Sequence, residues 1–301
     1  MHMEQLEARL PGGWVDESGQ LHQHVVLKAL SGREEMLLAE YPRQESASLV
    51  TTILSQCLVS IGEIAPVSES LCRNLLVADR HYLLLKLRET TFGAGVQATL
   101  PCPWPDCGKK VDIDFSITDL PVTPSEDKGP LYTLELSEAA AIKVGDEVIR
   151  ALCFRLPTGA DQEVVSPLLA ENEARALDVL LARCLISIGE VQPPDREMIA
   201  KLSPKARLEI EKAMASRAPK VELELGAECA ECGREFTAPF DPQDFFFGEL
   251  RTSRDLLYRE VHYLAYHYHW SEQEIMEMPK TRRRNYIEIL ADEIERLNSA
   301  V

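Results

Sequence analysis

The sequence predicts an α+β protein: two tandem, pseudo-symmetric copies of one unit, each a helical bundle ending in a zinc-knuckle β-hairpin, then an all-helical C-terminal segment. Three observations predict it. One offset aligns the first part of the chain with the second, each part changes from helical to alternating periodicity, and each ends in a closely spaced cysteine pair. The boundaries expected are 1–120 for the first repeat, 121–130 for a linker, 131–250 for the second repeat and 251–301 for the helical segment.

The repeat is read directly. Leu54-Ser-Gln-Cys57-Leu-Val-Ser60-Ile-Gly62-Glu63 matches Leu181-Ala-Arg-Cys184-Leu-Ile-Ser187-Ile-Gly189-Glu190 at a spacing of 127. The same spacing carries Cys102 onto Cys229 and Ser31-Gly32-Arg-Glu34 onto Thr158-Gly159-Ala-Asp161. Duplication explains a single ungapped offset better than coincidence between two amphipathic helices.

Each unit opens with β-branched, extended segments, His24 to Leu27 and Val148 to Leu152. Ser31 with Glu34, and Thr158 with Asp161, then have the spacing of helix caps: a side chain accepts from free amides and a carboxylate sits at the positive helix end. Leu49, Val50, Ile53, Leu54, Cys57, Leu58 and Ile61 paint one face of a long helix, as do Leu177, Leu180, Leu181, Cys184, Leu185 and Ile188. Gly62 and Gly189 are placed to end these helices. A further helix opens at Ser203-Pro204, matched in the first unit by Asp79 to Leu87. Strands follow: Val96 to Leu100 and Val111 to Phe115 around Cys102 and Cys107, then Val221 to Leu225 and Glu235 to Phe240 around Cys229 and Cys232. Pro121 to Pro130 is linker-like. From about Ser253 the pattern is helical only, with a capping box at Ser271 and Glu274, a break at Met278-Pro279, and a last helix through Tyr286, Ile287, Leu290, Ile294 and Leu297.

A strand, two cysteines, a glycine and a strand make a knuckle, whose turn aims two thiolates and several amides at one point. Two knuckles supply the four sulfurs of a closed, structural zinc site. Cys229 and Cys232 have the standard spacing and Cys102 and Cys107 a longer one, but roughly 120 residues separate the pairs, where ribbons use about 15–20. One shared Zn2+ therefore requires the two units to dock knuckle to knuckle. Two half-sites completed elsewhere, or plain turn cysteines, are the alternatives. Cys57, Cys72, Cys153 and Cys184 sit among apolar neighbours and read as small core residues.

Composition bounds the function. The 301 residues are 45% hydrophobic, enough for a sizeable core. Acidic residues outnumber basic ones 49 to 32, a net charge of -17, which disfavours a phosphate-tracking surface. No apolar run has membrane-spanning length and the first residues lack a signal-peptide core, so a reducing, cytoplasmic setting is expected, where paired cysteines bind metal rather than form disulfides. No GxxxxGK[ST], GxSxG or HExxH motif occurs. His262, His267 and His269 lack a nameable third metal ligand and read as aromatic packing, and Arg282-Arg-Arg284 as a solvated face. A non-enzyme is expected; a metalloenzyme would need an open coordination position that four thiolates do not leave.

Leu10-Pro11-Gly12-Gly13-Trp14-Val15-Asp16, Leu27 to Glu35, Leu76-Val-Ala-Asp79-Arg80, Thr91-Phe92-Gly93 and the knuckle at Cys102 and Cys107 resemble the small baseplate-hub assembly proteins of T4-like phage and related contractile injection systems. The resemblance covers about residues 10–120. The segment from Leu257 through Trp270-Ser271 to Tyr286 is similar to a short domain of phage-tail proteins. Similar patterns end some tail-assembly chaperones that hold the tape-measure protein. The resemblance implies a structural or assembly component of a tail, baseplate or injection machine, with other tail, hub, spike or tape-measure proteins as partners and no catalytic residues. Tyr258, Tyr263, Tyr266, Trp270 and Tyr286 are the expected aromatic anchors for a partner. A tape-measure chaperone is the second reading.

Overall fold

The computed structural model describes residues 5–40, 46–127, 129–144, 147–221, 224–239, 242, 245–246 and 254–299. Strand β1 (Gln5–Val15) pairs antiparallel with β2 (Leu21–Lys28). Helices α1 (Gly32–Glu40) and α2 (Ser46–Cys57) follow, and β3 (Leu58–Ile61) returns to the free edge of β2, giving the order β1-β2-β3. Helices α3 (Glu69–Asn74) and α4 (Val77–Phe92) lead into the hairpin β4 (Gly95–Pro101) and β5 (Lys110–Ser116), then the short β6 (Val122–Thr123).

The second half opens on β7 (Tyr132–Glu135), a small hairpin of β8 (Ile142–Val144) and β9 (Glu147–Ile149), and β10 (Ala151–Phe154). Then come α5 (Gly159–Leu169), α6 (Glu173–Cys184) and β11 (Leu185–Ile188), which pairs with β10 in the order β11-β10-β7. Next are α7 (Arg196–Ala200), α8 (Pro204–Arg217), β12 (Lys220–Val221) and the hairpin β13 (Glu224–Glu228) with β14 (Glu235–Pro239). The tail is helical: α9 (Arg254–Tyr268), α10 (Glu272–Met276) and α11 (Lys280–Ser299).

Local detail recurs at the spacing of 127. Gly62 N–H donates to His24 O at 2.7 Å and Gly189 N–H to Ala151 O at 2.8 Å, each glycine at φ +58. Ile61 exchanges backbone bonds with Ile64, and Ile188 with Val191. The expected caps form. Glu34 accepts from Ser31 N–H at 2.7 Å, and Asp161 from Thr158 N–H at 2.9 Å. The capping box at Ser271 and Glu274 is present as well.

One expectation is corrected. The helical periodicity runs on to Ile61 and Ile188, but the helices end at Cys57 and Cys184 and the chain turns directly into strand. Leu58 and Ile61 are buried at its ends, a spacing a helix face also produces, so burial alone does not separate the two readings. The sheet edge offered by β2 decides it, and Gly62 and Gly189 end strands rather than helices. Likewise Val148 to Leu152 is not one strand but the end of β9 and the start of β10. The stretch 121–130 is pinned where it is described: β6 pairs with β12, and Ser125 N–H donates to Pro11 O at 3.1 Å.

Each half has its own core. Leu27, Ile53, Leu54, Ile61, Leu75 and Leu83 fill the first, and Phe246 reaches into it from beyond β14. Phe154, Leu181, Cys184, Ile188 and Ile210 fill the second. Each fully buried side chain of this size stabilises the fold by about 1.5–3 kcal/mol.

The halves join through a corner and a seat. At the α3–α4 corner, Leu75 O accepts from Gly159 N–H at 3.0 Å, at the start of α5. Arg80, fully buried, lies across Gly159 and donates to Thr51 Oγ1 (2.9 Å), Cys72 O (3.0 Å) and Ala47 O (2.7 Å). The tail joins the first half in the same manner. Met278 O at the α10–α11 corner accepts from Gly32 N–H at 3.3 Å, at the start of α1. Arg283, also fully buried, bonds Glu35 (2.7 Å) and Glu260 (2.8 Å). Arg33 pairs with Glu277 at 2.7 Å, and Lys280 Nζ lies 4.6 Å from the Phe92 ring centre.

Candidate metal centre

Both hairpins close on a knuckle. Cys102 N–H donates to Lys109 O and Cys229 N–H to Arg234 O, which ties off the last rung of each ladder. Gly108 and Gly233 then take φ +58 and +66, the left-handed region a tight corner requires and a side chain resists. Val111 and Phe236 pack with the cysteines into a small apolar cluster made from both hairpins. A second cluster, with Leu85, Val96, Ile117 and Leu225, sits beneath it and fixes the hairpins to α4.

This packing brings together four sulfurs from residues about 120 apart in the chain. Cys102 Sγ lies 3.9 Å from Cys232 Sγ, and Cys107 Sγ lies 3.8 Å from Cys229 Sγ. All four lie within 4.8 Å of one another, the one such cluster among the described residues. A tetrahedral ion with metal–sulfur bonds of about 2.3 Å needs sulfurs about 3.8 Å apart, so the donor set and its spacing fit a structural metal. The pairing is crosswise: the first cysteine of each knuckle meets the second of the other.

The surroundings act unequally on the sulfurs: desolvation pushes the Cys102 thiol up to about 12 and Cys232 is raised as well, while Cys229 is lowered. Backbone amides of Trp104, Cys232 and Arg234 bond to the sulfurs of Cys102, Cys229 and Cys232 respectively. Those of Cys232 and then Glu231 hold the Cys229 thiol down to about 7. Four thiolates around a dication leave net negative charge. Arg234 sits beside it, bonded to Asp106 of the opposite knuckle at 2.8 Å, its guanidinium 5.2 Å from the Trp104 ring centre. The sequence reading did not single out this bridge. Its members are ordinary surface residue types, and only the docked geometry pairs them.

Three of the four thiols outside the centre behave as core residues, and Cys153 is only partly buried. Cys57, Cys72 and Cys184 are buried, and burial raises each thiol, Cys72 and Cys184 to about 12. Among the aromatic anchors expected in the tail, Tyr258, Tyr263 and Tyr266 are exposed. Trp270 instead stacks on Tyr268 at 4.6 Å and meets the edge of Tyr286 at 4.8 Å, forming a cluster within the tail. His262 stacks on Tyr266, in keeping with aromatic packing.

The fold and the cluster define the class: a mixed α+β body with four cysteines gathered at metal-binding distance and, among the described residues, no helix long and apolar enough to cross a membrane. The model of the T4 bacteriophage base plate protein family matches residues 17–247, and the chain belongs to that family. The match runs through both halves, beyond the residues 10–120 that carry the resemblance. A model of a family of unknown function (DUF6760) matches residues 250–301, the helical tail. No curated protein and no solved structure matches the chain. Family membership gives the chain a structural or assembly role in a phage base plate, with other tail and base-plate proteins as its partners.

Proposed function

We propose that this chain is a structural component of the baseplate hub of a contractile, phage-tail-like injection machine, and not an enzyme. In this reading an ancestral unit was duplicated. The two knuckles grip one shared Zn2+, and the halves become a rigid body onto which neighbours dock. The observation that carries it is the convergence of Cys102, Cys107, Cys229 and Cys232, two from each half, at tetrahedral spacing. The recurrence of bonds at Gly62 and Gly189 supports the duplication. A closed four-sulfur shell leaves no position for substrate, which fits a structural rather than a catalytic ion.

Tyr258, Tyr263 and Tyr266 on α9 would anchor a partner, with Trp270 and Tyr286 bracing the helix hairpin behind them. Mass spectrometry of purified particles tests the role: the chain is expected in intact particles, and its absence from them would remove the hub reading.

A second reading is an assembly chaperone for the tape-measure protein. It is favoured by apolar side chains left exposed on the tail, Leu256, Ile289 and Leu297, which suit an amphipathic partner helix. Pulldown from assembling lysates compared with mature particles separates the two. A chaperone is captured only during assembly, a hub component in both.

A further inference from the structure

Three corners in this chain share one layout. A side-chain cap opens a short helix, a long helix starts eight residues later, and an arginine stands twelve residues after the cap. The sets are Ser68, Leu76 and Arg80; Asp195, Ser203 and Arg207; and Ser271, Pro279 and Arg283. The caps accept from Leu71, Met198 and Glu274 N–H. The N–H of each arginine donates to the carbonyl of Leu76, Ser203 or Pro279. Each guanidinium turns back onto its own corner, Arg80 to Cys72 O, Arg207 to Ile199 O and Leu202 O, and Arg283 to Met278 O.

Two of these corners are seated. Leu75 O takes the amide of Gly159 and Met278 O takes that of Gly32, and in both cases the arginine is fully buried. The third is open. Leu202 O is the atom that corresponds to Leu75 O and Met278 O, and among the described residues no seat amide reaches it. The Arg207 side chain keeps 19% of its exposure and is paired with Asp178, itself 43% exposed, and Leu208 beside it is 49% exposed. Both glycine seats of the chain are filled from within, so the third corner fits a seat on another molecule.

We propose that the α7–α8 corner docks on the Gly32 seat of a second copy of this chain, in place of that copy's own tail, so that chains join head to tail. Charge selects this seat. It carries the buried Glu35, which needs a guanidinium, where the Gly159 seat has Gln162 at the matching position. Arg207 supplies that group. Two contacts oppose the exchange: Arg207 must leave the half-exposed Asp178, and Lys201 would meet Arg33 where the tail presents Glu277. The tail therefore holds the seat in the isolated chain and acts as a built-in cap on assembly. The contact joins two different surfaces, so it generates a ring or a filament rather than a closed dimer.

Swapping the opposed charges in the full-length chain tests this. Glu277→Lys with Lys201→Glu weakens the cap and strengthens the incoming corner. Sedimentation over about 1–100 µM should show association at least about tenfold tighter than in the wild type, and adding Arg207→Ala should abolish it. A folded double variant that stays monomeric over this range, or associates equally well with Arg207→Ala, overturns the proposal. Should the double variant fail to fold, Lys201→Glu alone, at a position 63% exposed, carries the same test: it should associate more tightly than the wild type, and equal association counts against the proposal.

Discussion

Asp79 and Asp161 are the same side chain pushed in opposite directions by what faces them. Asp79 is fully buried and accepts from Gly12 N–H (2.8 Å) and Gly13 N–H (2.9 Å). Burial outweighs those bonds and pushes its carboxyl up to about 6. Burial also works against Asp161, but Arg155, with the Thr158 amide and Arg183, outweighs it and holds the carboxyl near about 2. An unfolded aspartate titrates near about 3.9. The raised Asp79 thus contributes stability that is complete below pH of about 4 and is lost as pH rises through about 6, whereas the lowered Asp161 contributes stability present above pH of about 4 and lost as pH falls through about 2. Urea melts across this range should show the difference. Asp79→Asn should flatten the profile between pH of about 4 and 6, and Asp161→Asn should remove the loss below about 4 while costing about 2–3 kcal/mol at neutral pH. If Asp79→Asn leaves the upper limb unchanged, the assignment of that limb fails. The pair Asp79-Arg80 stands out in the sequence as part of a motif, but not for its role. Its partners, Gly12 and Gly159, lie 67 and 79 residues away, and local pattern says nothing about contacts at such range.

Helices, caps and hairpins were legible because each rests on neighbours in sequence. The capping boxes at Thr158 and Ser271, and the alternation of β4 and β5, follow from residues a few positions apart. The strands after α2 and α6 were not legible, because Leu58 and Ile61 match a helix face as well as a strand whose inner residues stay half-buried. The seats were hidden for another reason. Gly32 and Gly159 look like ordinary first-turn residues until an arginine from elsewhere lies across them. A Cβ built on Gly159 falls 2.3 Å from Arg80 Nη1, and one on Gly32 falls 2.9 Å from Met276 Sδ and 3.1 Å from Met276 Cα. Gly159→Ala should therefore destabilise the chain by about 1–3 kcal/mol in a urea melt. Gly32→Ala should loosen the tail selectively, seen as faster hydrogen exchange in α9–α11 with α6 and α8 unchanged. Arg283→Ala should go further, because it leaves Glu35 and Glu260 facing each other without their cation, at a cost of about 3–5 kcal/mol. A tail as protected in that variant as in the wild type would show that the ion pairs do not hold it.

Across the whole molecule, two bodies with separate cores meet at the Arg80 corner, at the knuckle pair and through the pairing of β6 with β12. The sequence indicated both cysteine pairs, and the condition that the two must meet for one ion to serve both. The packing that brings them together, Val111 and Phe236 around the sulfurs and Asp106 with Arg234 at the rim, depends on the docked halves and leaves no sequence signature. Structural metal binding is folding free energy, so a strong chelator should lower the melting temperature and loosen the contact between the hairpins. The metal content of the full-length chain, purified without added metal, tests the shared centre most directly. About one zinc per chain is expected, lost to the same extent in Cys102→Ser and Cys229→Ser, because each removes one of four ligands to the same ion. Two ions per chain, or zinc retained at one knuckle when the other is mutated, would contradict a shared centre, and a folded chain free of metal would contradict any metal centre at all.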